Sequence, residues 1–193
     1  MTKVKNKITP DTILKNFWKD NKRFADLFNA CFFDGNPKLN PDDLTEVDTD
    51  VSSLLQFHGY AETVKRIVDV VKKSAYGVDF VILGIENQSK IHYAMPLRHM
   101  LGDAFSYLKE YNEIAKKHKK EKDYTATDEF LSRMKKTDRL HSVLTICIYY
   151  GENPWDGPHS LIDMLEIPDA FKPLISDYKL SLIHISEPTR LQL

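Results

Sequence analysis

Asp69, Glu86 and Gln88 are the residues whose types and spacing could do chemistry in this chain. Each lies in or just after an apolar, β-branched run: KRIVDVVKK at 65–73 and VDFVILGIE at 78–86. A charged group in a central strand is costly unless it is paired or holds a metal. Side chains alternate along a strand, so Glu86 and Gln88 share a face, and a short hairpin would bring Asp69 beside them. Two neighbouring carboxylates repel, and a divalent cation relieves the repulsion. Mg²⁺ suits such a pair, its shell completed by water and phosphate oxygens. A site of that kind generates hydroxide and stabilises in-line attack on phosphorus. Asp79 is the fallback metal ligand. It stands seven residues before Glu86 and so points to the opposite face of an unbroken strand, unless a bulge flips the register. The pattern alone also fits acids that only pair with neighbours such as Lys65 or Arg66.

The elements that must position these residues follow from periodicity. Thr9 to Phe33 reads as helix, in two segments, ended by Asp34-Gly35-Asn36-Pro37. Lys38 to Leu55 is polar and reads as a connecting loop. Lys65 to Lys73 and Val78 to Glu86, around Ser74-Ala75-Tyr76-Gly77, read as an antiparallel hairpin whose second strand is central. Tyr93 to Lys120 is a long helix, apolar at Leu97, Leu101, Phe105, Leu108 and Tyr111. Thr127 to Lys136 is a short helix, Leu140 to Tyr150 a third strand, and Pro158 to Phe171 contains one more helix. Trp155 reads as packing at the turn after the third strand, with Tyr149 in the core and Tyr150 at its rim. The order helix, strand, strand, helix, strand, helix argues for an α/β or α+β domain.

The 193 residues suffice for one domain with a substantial core. Lys plus Arg is 27 and Asp plus Glu is 28, which excludes a globally basic nucleic-acid coat but not a local basic patch. Lys116, Lys117, Lys119 and Lys120 form such a run with His118; it could track a DNA backbone or be a solvated helix end favoured by the helix dipole. Two cysteines, Cys31 and Cys147, and no CxxC argue against a disulfide framework and a zinc site. A reducing, cytoplasmic setting is expected, with no membrane partner. No HExxH, GxxxxGK[ST] or GxGxxG occurs.

GIENQSKIHYAMPLR at 84–98, with LTICIYYGENPWDGPHSLIDML at 144–165, resembles the recombination-promoting nuclease family, also described as putative transposases, of the PD-(D/E)xK superfamily. The resemblance runs from about Phe24 to Leu165. It implies a restriction-endonuclease-like α/β core, with a mixed central sheet flanked by helices, and a Mg²⁺- or Mn²⁺-dependent endonuclease that hydrolyses DNA phosphodiesters. It places the metal ligands on Asp69 and Glu86 and puts Gln88 where the wider superfamily has Lys. Gln can orient water or phosphate only by hydrogen bonding, without the positive charge of Lys. Arg98 is then a candidate phosphate contact, its fork matching two phosphate oxygens, against the plainer reading of an ion pair at a helix start. Asp26, in FADLFN, matches the acid that the superfamily often adds from its first helix; an exposed helix acid is the alternative. No DDE-type motif accompanies the transposase description. The rival function within the fold is a catalytically inactive, DNA-binding or defence-associated member, and a homodimer is compatible with either.

Leu180 to Arg190, LSLIHISEPTR, resembles the translation of a transposon-end adapter used in short-read DNA sequencing. On that reading residues 1–179 are a C-terminally truncated nuclease-like domain and 180–193 a non-native tail; the plainer reading of the segment is a short strand, Leu182 to Ile185, followed by a proline turn.

Overall fold

The computed structural model describes residues 10–47, 70–84 and 91–185. Asp69, Glu86 and Gln88 lie outside the described residues.

Helix α1 (Pro10–Lys19) and helix α2 (Asn21–Phe32) are separated by one residue, Asp20. The Asp20 carboxylate accepts the Arg23 backbone N–H at 3.0 Å, which caps α2 and explains the break in one continuous apolar periodicity. Asp34 and Gly35, both at positive φ, end α2. Beyond them the buried Asn29 amide bonds both backbone groups of Leu39, at 2.8 and 2.9 Å, and pins the loop to the helix.

Among the described residues the sheet has five strands in the order β1-β2-β3-β4-β5. They are β1 (Thr45–Glu46), β2 (Val70–Ala75), β3 (Val78–Gly84), β4 (Ser142–Tyr149) and β5 (Leu182–His184). The first three run antiparallel to their neighbours, and β3, β4 and β5 are parallel. The stretch read as loop therefore contributes a two-residue edge strand. The β2–β3 turn is shorter than expected: Ser74 and Ala75 remain in β2, paired with Asp79 and Val78. Only Tyr76 and Gly77 turn, at φ 55° and 71°, the positive values that a two-residue type I′ turn needs at both positions.

Alternation divides the sheet into two faces. Phe80, Ile82, Ile146 and Ile148 pack with Phe24 and Phe28 of α2, the Phe28 and Phe80 rings meeting edge to face at 5.1 Å. The opposite face carries Asp79, Val81, Thr145, Cys147 and Tyr149 and is covered by α3 (Met95–Glu121). This is an α/β fold, a mixed sheet flanked by helices. Helix α3 and the short α4 (Thr127–Ser132) form the crossover from β3 to the parallel β4.

The stripe that α3 buries is not its most apolar one. Leu97 and Leu108 are 37% and 39% exposed, whereas His99 and Asp103 are buried. The helix between Pro158 and Phe171 is replaced by two 3₁₀ segments, Ile162–Met164 and Asp169–Leu174. Pro168 and Pro173 supply no backbone donors, so a longer ladder cannot form.

Trp155 does pack at the turn, edge to face on the buried Tyr149 ring at 5.3 Å. Tyr150 sits half-buried and accepts from Trp18 Nε1 at 2.7 Å. A Cβ on Gly151 would fall 1.9 Å from the Tyr149 hydroxyl, so only glycine lets the chain double back over that ring.

The C-terminal segment enters the sheet as the short strand that its plainer reading offered. Leu182–His184 pairs with Cys147–Tyr149, and Leu180 is buried against Met95, Cys147 and Tyr149. Edge addition needs only an extended segment with free backbone donors and acceptors, which LIHI supplies whatever its origin.

Candidate functional site

The described frame sets where the candidate site attaches. β2 begins at Val70, directly after Asp69, and β3 ends at Gly84, two residues before Glu86. Val70 stands opposite Leu83 in the antiparallel ladder, so the chain enters β2 and leaves β3 at one end of the sheet. That end is also the carboxyl end of the parallel pair β3 and β4, with Leu83 opposite Cys147 and Gly84 opposite Ile148. Open α/β sheets bind ligands at the carboxyl ends of their strands.

Arg98 lies at the same end. It is half-buried in the first turn of α3, its N–H bonded to the Ala94 carbonyl at 3.0 Å. Burial pushes the Cys147 thiol up to about 12, and the Arg98 charge acts in the opposite direction. Burial also lowers the His92 pKa, and Arg98 lowers it further. The Arg98 charge is thus felt both at the Cys147–Leu83 pair and on the segment that leads into α3.

Asp79 is engaged elsewhere. Its Oδ2 lies 2.8 Å from Lys72 Nζ, and both groups are buried. The β2–β3 ladder is unbroken from Val78 to Leu83, so no bulge among the described residues turns Asp79 to the other face. Asp26 is exposed on α2, next to the buried Phe24 and Ala25.

A polar network that sequence reasoning missed lies under α3. The Asp103 carboxylate accepts Thr145 Oγ1 at 2.5 Å and the Tyr178 hydroxyl. His99, one turn earlier, places Nε2 3.6 Å from Asp103, and its buried Nδ1 has no hydrogen-bond partner among the described residues. Burial lowers the His99 pKa, with Asp103 opposing, and burial followed by Asp103 raises that of Tyr178. The signal in the sequence was the i, i+4 pair His99 and Asp103 on a helix.

Lys116, Lys117, Lys119 and Lys120 are exposed, but His118 in their midst is buried. Its Nδ1 lies 2.8 Å from Asp123 and its Nε2 2.9 Å from Asp138. Among the described residues, His118, Glu121 and Asp123 could converge on a cation, their ligand atoms within 4.8 Å of one another. They do not fit Mg²⁺, which takes oxygen ligands. Both ring nitrogens already face carboxylates, and Lys135 Nζ bonds Asp123. The group acts as a staple between the end of α3 and the chain beyond it.

Compared with protein-family models, with curated proteins and with solved structures, the chain matches none. Among the described residues no helix is long and apolar enough to cross a membrane.

Proposed function

We propose that this protein is a metal-dependent DNA endonuclease of the PD-(D/E)xK kind. One observation carries the reading. The register Val70 to Leu83 joins the chain before β2 and the chain after β3 at one end of the sheet, with the N-terminus of α3 and Arg98 at that end. Asp69 on one side and Glu86 and Gln88 on the other are the nearest candidates in the sequence to those two strand ends.

Asp69 and Glu86 would be the oxygen donors for Mg²⁺ or Mn²⁺. A cation held there would supply an activated water and neutralise charge on phosphorus. Hydrolysis forms one P–O bond to that water and breaks the bond to the sugar oxygen, which leaves with a proton. Gln88 orients the water or a non-bridging oxygen through its amide. Arg98 holds phosphate oxygens with its planar fork, providing the fixed positive charge that Gln88 lacks. This reading leaves Asp79, paired with Lys72, outside the ligand set.

The test is nicking of supercoiled plasmid by the full chain in Mg²⁺ and in Mn²⁺, beside Asp69→Ala and Glu86→Ala. Cleavage by the parent that falls in both variants to the level of the chelated protein supports the reading. Equal cleavage by all three overturns the site. No cleavage by a parent that binds DNA and Mn²⁺ points to the inactive, DNA-binding alternative.

A further inference from the structure

We propose that the far end of α3, with the segment folded onto it, is a phosphate-backbone docking surface that grips duplex DNA nearly one helical turn from the candidate hydrolytic site. This rests on the nuclease reading and goes beyond it by fixing the substrate as a duplex of minimum length.

The His118 staple builds the surface. Helix α3 ends at Lys122, which takes the left-handed conformation (φ 54°) and donates its N–H to the His118 carbonyl at 2.8 Å. The chain doubles back, and His118 then ties Asp123 and Asp138 to the helix from both ring nitrogens. Asp138 also accepts the Lys135 backbone N–H at 2.7 Å. The returning chain, which carries Arg133 and Lys136, is thereby tied to the end of the helix that bears the lysines.

The staple also sorts the charges. Residues 113–141 contain nine Lys or Arg and six Asp or Glu, a net +3 in a chain of net −1, which leaves −4 for the remainder. Three of the six acids are engaged within the segment. Asp123 and Asp138 meet His118 and Lys135, and Glu129 accepts from the Thr125 N–H and hydroxyl, both at 2.9 Å, and from the Lys136 N–H. Lys116, Lys117, Lys119, Lys120, Arg133 and Lys136 are exposed. Glu113, Glu121 and Asp128 are exposed beside them, and the patch stays positive because the other three carboxylates are held by partners within the segment. Lysines present point charges without a fork, so they position a backbone rather than read bases.

Distance sets the substrate. Arg98 and the lysines at 116–120 sit on one helix, and a rise of 1.5 Å per residue puts them roughly 30 Å apart. At about 3.4 Å per base pair that spans roughly nine base pairs, most of one turn. A duplex that reaches both ends is held at two points, and a shorter one at a single point.

The experiment measures binding by the full chain, in chelator so that nothing is cut, to labelled hairpin-closed duplexes of about 6, 12 and 20 base pairs across a salt series. The variant carries Lys116→Gln, Lys117→Gln, Lys119→Gln and Lys120→Gln, four exposed positions, and circular dichroism checks its fold. Two-point contact predicts that the parent gains at least about tenfold in affinity between the 6- and 20-base-pair probes. The variant should lose that gain, and its log–log salt slope on the long probe should fall by about 0.9 for each phosphate contact removed. DNA binding with no gain on lengthening, or a gain that the variant keeps, overturns the docking surface. The plasmid assay would then still decide the nuclease reading. Absence of both DNA binding and nicking in the parent overturns both.

Discussion

Lys72 and Asp79 form a buried ion pair across the β2–β3 hairpin, Nζ to Oδ2 at 2.8 Å, on the face of the sheet that α3 covers. Lys72 is 8% and Asp79 9% exposed, so each charge depends on the other for its solvation. Removing one partner strands the other. Asp79→Ala should cost about 3–5 kcal/mol, whereas Lys72→Met with Asp79→Leu should come close to neutral. Urea midpoints at unchanged m report the difference. A single-variant cost below about 1 kcal/mol would show that water reaches the pair.

Asp103 is the acceptor for two groups from distant parts of the chain, Thr145 and Tyr178. Asp103→Ala leaves both hydroxyls unpaired, at about 1–3 kcal/mol each, while Tyr178→Phe removes one donor and its need together. Thermal unfolding should therefore fall far more for Asp103→Ala, and adding Tyr178→Phe to it should cost little further. Strict additivity would count against a shared acceptor.

Stability should weaken as pH falls through the ordinary range of histidine. Burial holds the folded pKa of His99 below its usual 6.5, with Asp103 opposing. Below that value the unfolded chain takes up a proton that the folded one refuses, so this contribution is complete above about pH 6.5 and is lost on acidification. The limit is about 1.4 kcal/mol per pH unit for one proton. His99→Leu should flatten the pH dependence of the urea midpoint between about 6.5 and 5. An unchanged slope would assign the effect to another group.

Cys147 is fully buried, and its thiol is pushed up to about 12 by burial. At pH 8 it should react with a thiol reagent only as fast as the protein unfolds. Cys31 is half-buried and leaves a second, faster phase. Cys31→Ser should then leave a single slow phase that tracks the unfolding rate measured in denaturant. A fast phase from Cys147 would reveal local opening of β4.

Local chemistry made much of the framework legible. The break between α1 and α2 rests on the Asp20 cap, the end of α2 on Asp34-Gly35, and the hairpin on Gly77, interactions within a few residues of one another. The central place of β3 followed from apolar residues on both its faces. Prolines decided the region after Pro158 differently, because their missing donors outweigh an apolar periodicity that otherwise suits a helix.

Residue type and spacing nominated Asp69, Glu86 and Gln88, the family resemblance added Arg98, and periodicity marked out two strands, a long helix and a third strand to carry them. Tertiary structure decided which groups of like chemistry are already engaged. Asp79, the fallback ligand of the sequence, is paired with Lys72, and His118, within the basic run, has Asp123 and Asp138 on its two nitrogens. Helix α3 buries His99 and Asp103 and leaves Leu97 and Leu108 half-exposed, because the sheet beneath it presents Thr145 and the chain near residue 178 returns with a tyrosine. Periodicity measures how apolar each stripe of a helix is. Which stripe is buried depends on the hydrogen-bond partners waiting opposite, and those come from residues 42 and 75 positions away along the chain.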